Sequence, residues 1–222
     1  MRAYDLRISR RQALAGAGGL IIGVCLPARF AGAQSQSGAA KVLSVGDAAQ
    51  AAFVPNAFVR VGTDDTVTVL IKHIEFGQGP FTGLATLVAE EMDADWSQLR
   101  AEHAPSNPEL YKNLLFGVQG TGGSSAIANS FEQMRQAGAT ARAMLVQAAA
   151  RVWRVPASEV TVERGTLRHA RSGREGRFGE FAAAAARLRV PRNVPLKDAS
   201  SFRLIGRDDG SVRKLDSASK SN

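Results

Sequence analysis

Two glycine-rich stretches hold the residues of this 222-residue chain best suited to binding a ligand. The first reads Glu75-Phe76-Gly77-Gln78-Gly79-Pro80 and the second Gly120-Thr121-Gly122-Gly123-Ser124-Ser125. Each is an irregular segment ahead of a predicted helix. A helix start presents unpaired N–H groups and the positive end of the macrodipole. Glycine lets a ligand come close to the backbone and permits left-handed conformations. That combination suits phosphate or pyrophosphate. The Gln78 amide can both donate and accept, and Thr121, Ser124 and Ser125 add hydroxyls. The structural alternative is a glycine turn followed by a Ser or Thr N-cap. Neither stretch has Rossmann or P-loop spacing, because no lysine follows the glycines toward a phosphate.

Other polar residues carry less. His73, His103 and His169 fall at strand ends, and their spacing fits no metal motif. The pair Glu90-Glu91 lies on a predicted helix and is expected on a solvated face. Trp96 and Trp153 are expected to close off packed helices.

The elements that must position the two loops follow from hydrophobic period. Residues 57–61 and 66–72 alternate apolar and polar around Thr63-Asp64-Asp65, which predicts a hairpin. After Pro80, which suits a first helical position, Leu84, Leu87, Val88 and Met92 recur at helical spacing. Residues 98–103 read as a strand and 105–120 as a loop. A long helix is predicted over about 130–152, with Gly138, Ala141 and Ala148 on a face that would pack closely on a sheet. Residues 158–169 predict a second hairpin turning at Arg164-Gly165, and Phe178–Leu188 a short Ala-rich helix. This order implies an α+β fold, with helices packed on a mixed sheet. The stretch from Pro191 onward is polar and irregular, with Lys197-Asp198 in a connector. Nothing caps it, as expected of a chain that continues into further domains.

Charge and cysteine narrow the class. The formal net charge is +8, but five arginines against one aspartate in residues 1–33 supply half of it. No basic run is interleaved with aromatics, so nucleic acid is not an expected partner. Cys25 is the single cysteine, which excludes disulfides and iron–sulfur ligation within the chain. Residues 1–33 have the order of an export signal: Arg10-Arg11, an apolar run from Ala13 to Leu26, then Ala31-Gly32-Ala33. The arginine pair points to the twin-arginine route and a periplasmic destination. Ala13 stands where that motif usually has Phe, and a Sec signal is the alternative. The apolar run falls short of the roughly 20 residues of a stable membrane span. Residues 34–50 are expected to be a linker, 51–205 a domain, and 206–222 a connector.

Four stretches carry a family resemblance. They are Lys72-His73-Ile74-Glu75-Phe76-Gly77-Gln78-Gly79, Ala89-Glu90-Glu91-Met92-Asp93, Glu102-His103-Ala104-Pro105, and Gly120 through Ser125. In this order they resemble the molybdopterin-binding subunit of the xanthine oxidase family, of the isoquinoline 1-oxidoreductase beta and aldehyde dehydrogenase type. The likeness runs on through Phe131–Val155, Val160–Gly165, Leu196-Lys197-Asp198 and Phe202–Gly206. It implies an incomplete molybdopterin-binding domain. It assigns Gly77, Gln78, Gly79, Thr121, Gly122, Gly123, Ser124 and Ser125 to loops beside a molybdopterin, in its cytosine dinucleotide form, carrying molybdenum. Phe76 stands where Met is usual. The implied reaction is hydroxylation of an aldehyde or N-heterocycle, with a small [2Fe-2S] subunit taking the electrons. The family's general-base glutamate lies beyond the matching region, so the resemblance implies a segment inactive alone. A non-catalytic periplasmic binding or interaction module on the same scaffold is the alternative.

Overall fold

The computed structural model describes residues 53–215, with side chains from residue 57 onward. The expected signal (1–33) and linker (34–50) lie outside the described residues.

A tight turn starts the first sheet. Gly62 N–H donates to Thr66 O at 2.8 Å, and Asp65 takes φ 69°. The Asp64 carboxylate accepts from the Thr66 amide and hydroxyl at 3.2 and 2.7 Å, which closes the turn. The turn joins β2 (Val59–Val61) to β3 (Val67–Ile71) as the expected hairpin, with Val59 opposite Val69. An additional strand, β1 (Phe53–Asn56), pairs antiparallel with β2. Helix α1 (Pro80–Met92) then carries the chain across to β4 (Leu99–His103), which lies parallel to β3. The result is a four-stranded mixed sheet in the order β1-β2-β3-β4.

After β4 comes α2, a single turn at Pro108–Tyr111 within the expected loop, and then α3 (Phe131–Trp153). Helix α3 packs on the first sheet as expected and also makes a close helix–helix contact at Gly138. A Cβ on Gly138 would lie 2.6 Å from Val88 O of α1. The second hairpin forms as expected, β5 (Thr161–Glu163) and β6 (Thr166–His169), but β7 (Arg174–Arg177) joins it in a separate antiparallel sheet. Helix α4 (Phe178–Ala185) follows. The two sheets are tied where Gly165 N–H donates to Asp93 O at 2.8 Å and Gly179 N–H to Asp65 Oδ1 at 2.7 Å. One continuous apolar core runs from Val59 and Ile71 through Leu84, Met134 and Leu145 to Phe178 and Phe181. The fold is α+β with two sheets.

Trp153 meets Phe181 edge-on at 5.2 Å, as expected of a helix-closing indole. Trp96 binds the tail instead, donating to Arg213 O at 3.1 Å. Leu215 N–H donates to Thr82 Oγ1 at 3.3 Å, so the expected connector, as far as residue 215, folds back on α1.

Glu90 and Glu91 are not on a solvated face. They are 1% and 0% exposed. The Glu90 carboxylate accepts from the backbone amides of Arg203 (3.0 Å), Leu204 (2.7 Å) and Ile205 (3.0 Å). Glu91 accepts from Arg135 Nε at 2.7 Å and from the Lys197 amide at 3.1 Å. Lys197 Nζ reaches Glu90 O and Asp93 Oδ1, both at 2.6 Å. Burial alone would raise the Glu90 pKa, but the three amides and Lys197 outweigh it and hold it below 4.5. The correction is physical: a helix face is solvated only if nothing covers it, and residues 197–205 cover this one.

Candidate functional site

The two glycine loops share one edge of the first sheet. Because β3 and β4 are parallel neighbours, their C-terminal ends lie side by side. Residues 72–79 leave one and the stretch toward residue 130 follows the other. In open sheets of this kind the crevice beyond the strand C-termini is where ligands bind. The loops touch: Ile74 N–H donates to Thr121 Oγ1 at 2.8 Å. Beneath them His73 is buried, with Nδ1 3.5 Å from Thr121 Oγ1 and Nε2 3.2 Å from Ser130 Oγ. Burial first, and then the Lys72 charge, lower its pKa, so the ring is neutral at pH 7.

Lys72 is a buried cation with neutral oxygen partners. Its ammonium donates to Lys112 O at 3.3 Å, at the root of the second loop, and to Gln133 Oε1 of α3 at 2.8 Å. Burial lowers its pKa to about 8. Asn113, also buried, donates from Nδ2 to Ser125 Oγ at 2.8 Å, and its Oδ1 accepts from Leu115 N–H at 2.9 Å. Ser125 in turn donates to Gly122 O at 2.7 Å.

The expected site residues divide by what they are bonded to. In the first loop Gly77 and Gly79 take φ of 112° and 91°, and a Cβ on either would meet nothing within 4 Å. That surface is open, and the conformation favours glycine. Its amides are engaged. Gly77 N–H donates to Glu75 Oε1 at 2.6 Å, Gly79 N–H to the same oxygen at 3.2 Å, and Phe81 N–H to Oε2 at 3.1 Å. Glu75 is an anion already seated at the α1 N-terminus, where the macrodipole favours one. Gln78 is exposed, but its amide braces the loop, donating to Ile74 O at 2.7 Å and accepting from Phe76 N–H at 2.9 Å.

The second loop differs from expectation in another way. It does not feed α3 directly, since turns at Ala126–Ser130 intervene, so the α3 dipole does not act at Gly122 and Gly123. The Thr121 and Ser125 hydroxyls serve the internal bonds already described, while Ser124 is exposed at φ 53°. Among the described residues the N–H groups of Gly122 and Gly123 have no hydrogen-bond partner. A Cβ on either would meet only the Phe116 ring, at 3.9 and 3.5 Å. Among the described residues, the loop N–H groups left open are therefore those of Gly122 and Gly123 in the second loop, while the Gly77 and Gly79 amides of the first are taken by Glu75.

Sequence reasoning gave no role to Glu75, Asn113 or Lys72. Glu75 left a signal, a carboxylate four residues before a glycine N-cap. The bracing lysine and asparagine left none, because their partners are set by the folded loop.

Comparison with known proteins gives the family of the chain. Residues 18–219 match the molybdopterin cofactor-binding domain family, and the chain belongs to that family. It is 41% identical over 146 residues to isoquinoline 1-oxidoreductase subunit beta of Brevundimonas diminuta, covering 65% of this chain and 18% of that protein. It is 32% identical over 176 residues to a membrane-bound aldehyde dehydrogenase [pyrroloquinoline-quinone] of Gluconacetobacter polyoxogenes, covering 77% of this chain and 22% of that protein. Quinoline 2-oxidoreductase from Pseudomonas putida 86 superposes with a TM-score of 0.44 at 21% identity, over 58% of this chain and 15% of that one. The chain thus spans about a fifth of the length of the curated relatives it matches. It is a molybdopterin-binding member of the xanthine oxidase family.

Proposed function

We propose that this chain supplies two cofactor loops to a molybdenum hydroxylase that oxidises aldehydes or N-heterocycles. The observation that carries the reading is the tie between the loops, Ile74 N–H to Thr121 Oγ1, at the C-terminal edge of the parallel pair β3 and β4. Gly122 and Gly123 offer backbone N–H groups to the phosphate or dinucleotide extension, which we take to be the cytosine form. Gly77 and Gly79 leave room for the neutral ring system, and Gln78 keeps that loop in shape. Buried Lys72 adds positive charge at the root of the second loop. The molybdenum centre, when bound, supplies the oxidative hydroxylation chemistry. The chain itself binds and orients, and we take it to be inactive alone. Electrons would leave through a separate [2Fe-2S] subunit, and Arg10-Arg11 would send the assembly to the periplasm by the twin-arginine route.

The test is a pair of substitutions in the complete, cofactor-loaded enzyme. Gly123→Val, at φ 58° and against Phe116, should lower molybdenum and pterin content at least tenfold. Gln78→Ala removes two bracing hydrogen bonds, each worth about 0.5–1.5 kcal/mol net. It should loosen the loop and cut turnover while most cofactor stays bound. Full loading with unchanged turnover in both variants would refute the assignment.

A further inference from the structure

We infer that the C-terminal end of α3, together with the turn at Ala170–Ser172, is a docking surface for an acidic face of another protein. The inference stands apart from the cofactor reading, which concerns the other end of α3.

Charge is divided unevenly along the chain. Residues 151–192 hold ten arginines, no lysine and four glutamates. All four glutamates are engaged. Glu159 Oε2 lies 2.9 Å from Nε2 of buried His169, whose Nδ1 meets Ser172 Oγ at 2.7 Å. Glu163 and Glu175 both pair with Arg168, at 3.4 and 3.2 Å. Glu180 accepts from the Arg177 amide at 2.6 Å. Arg164 and Arg177 pair in turn with Asp95 and Asp65, at 3.4 and 2.8 Å. Arg151, Arg154 and Arg171 are left over. All three are exposed, and among the described residues none has an ion-pair partner.

The backbone brings these three to one place. Arg151 is in the last turn of α3, and Arg154 is the C-cap of that helix at φ 57°. Arg174 donates to Trp153 O, which holds the segment after residue 170 against the same helix end. Arg171 is three residues from Arg174, across the Gly173 turn. The helix macrodipole favours a cation in the last turn. That accounts for Arg151 but not for Arg171, which comes from a different element. Between the arginines Val152 is 59% exposed, and Trp153 is half-buried against Phe181.

The residue types narrow the partner. A guanidinium fork takes a carboxylate through two parallel hydrogen bonds, which an ammonium cannot do. Arginine and tryptophan are enriched at protein interfaces and lysine is depleted. The patch lacks the large apolar side chains that enter a lipid interface. It also lacks the stacked aromatics of a single-strand nucleic-acid site. A protein face bearing carboxylates meets what is present: three unpaired forks around a small apolar centre. Helix α3 has 23 residues, so it is about 34 Å long. Its other end lies by Ser130, which meets His73 beneath the glycine loops. A partner on this patch therefore leaves the loop face free.

The probe for the test is poly-L-glutamate, at about 0.15 M salt so that distant surface charges are screened. The full chain is treated with phenylglyoxal, with and without the probe, and the modified arginines are located by mass spectrometry. Arg151, Arg154 and Arg171 should react in the free chain and be protected roughly tenfold by the probe, as close charge pairs across an interface imply. Arg100, exposed on β4, is the internal control and should be left unprotected. Arg151→Gln, Arg154→Gln and Arg171→Gln together should weaken probe binding about tenfold more than Arg60→Gln, Arg100→Gln and Lys112→Gln, which remove the same charge. Equal weakening by the two triple variants, or equal protection of Arg100, shows net charge alone at work and overturns the inference. Undiminished binding by Arg151→Lys, Arg154→Lys and Arg171→Lys together overturns it as well, since charge is kept and the forks are lost. Vesicles of phosphatidylglycerol or a DNA duplex that protect these arginines better than poly-L-glutamate assign the patch to lipid or nucleic acid, and overturn it too.

Discussion

Replacing Glu90 by alanine should cost about 3–5 kcal/mol of stability, the usual loss when one partner of a buried ionic cluster is removed. The structure gives the reason. The carboxylate accepts three backbone amides, from Arg203, Leu204 and Ile205, at 2.7–3.0 Å, with Lys197 Nζ at 3.5 Å. Hydrogen bonds to a charged acceptor contribute about 1.5–3 kcal/mol each. Their plain sum overshoots, because the three amides belong to one short segment and do not act independently. The segment can also detach and let water satisfy its amides, so its docking free energy caps the loss. Glu90→Gln keeps the shape and one good acceptor but loses the charge, and should cost about half as much. Urea denaturation of both variants measures the two losses, and limited proteolysis within 197–205 reports detachment.

The pH dependence supplies a second check. Glu90 is held below its ordinary 4.5, so its stabilisation is complete above that value. It disappears as pH falls through the lower folded value. Wild type and Glu90→Gln should therefore converge in strong acid. A loss below about 1 kcal/mol for Glu90→Ala at pH 7, against the 3–5 kcal/mol usual for such a cluster, would show that the segment is not held this way.

Three further outcomes are expected. Lys72 titrates near 8 when folded, against an ordinary 10.5, so the unfolded chain binds more protons between those values. Stability should rise with pH across that window, and Lys72→Met should flatten the rise in a series of melts. Gly138→Ala puts a Cβ 2.6 Å from Val88 O and should cost about 1–3 kcal/mol by overpacking, whereas Gly120→Ala, in open space, should cost far less. Export should depend on the arginine pair. The double change Arg10→Lys and Arg11→Lys should hold precursor in the cytoplasm, and normal export of that variant would exclude the twin-arginine route.

What the sequence revealed was whatever local chemistry decides. The β2–β3 hairpin follows from alternation around Thr63-Asp64-Asp65, and the α1 start follows from Pro80. The second hairpin follows from Arg164-Gly165, whose φ values of 47° and 73° the turn requires. Strands β1 and β7 were not legible. Phe53-Val-Pro-Asn holds a proline, Arg174-Glu-Gly-Arg has no apolar alternation, and both are strands only because a neighbour pairs with them. The burial of Glu90 and Glu91 was hidden for a similar reason, since the segment that covers them lies more than 100 residues onward. Both glycine loops were found, but their internal bonding was not. That Glu75 occupies the first loop's amides depends on how the loop curls, which no spacing rule encodes.

The separation between Glu90 and its amide partners, 113 to 115 residues, also sets an order of events during synthesis. At about 5–20 residues per second, α1 leaves the ribosome several seconds before Arg203, Leu204 and Ile205 exist. Over that interval its two carboxylates have only water and Arg135 to turn to, and the α1–α3 pair stays open on one side. Closure is thus a late step that reports the arrival of residue 205. A nascent chain interrupted before that point would retain a hydrated, protease-accessible groove along α1, however well its first sheet had formed.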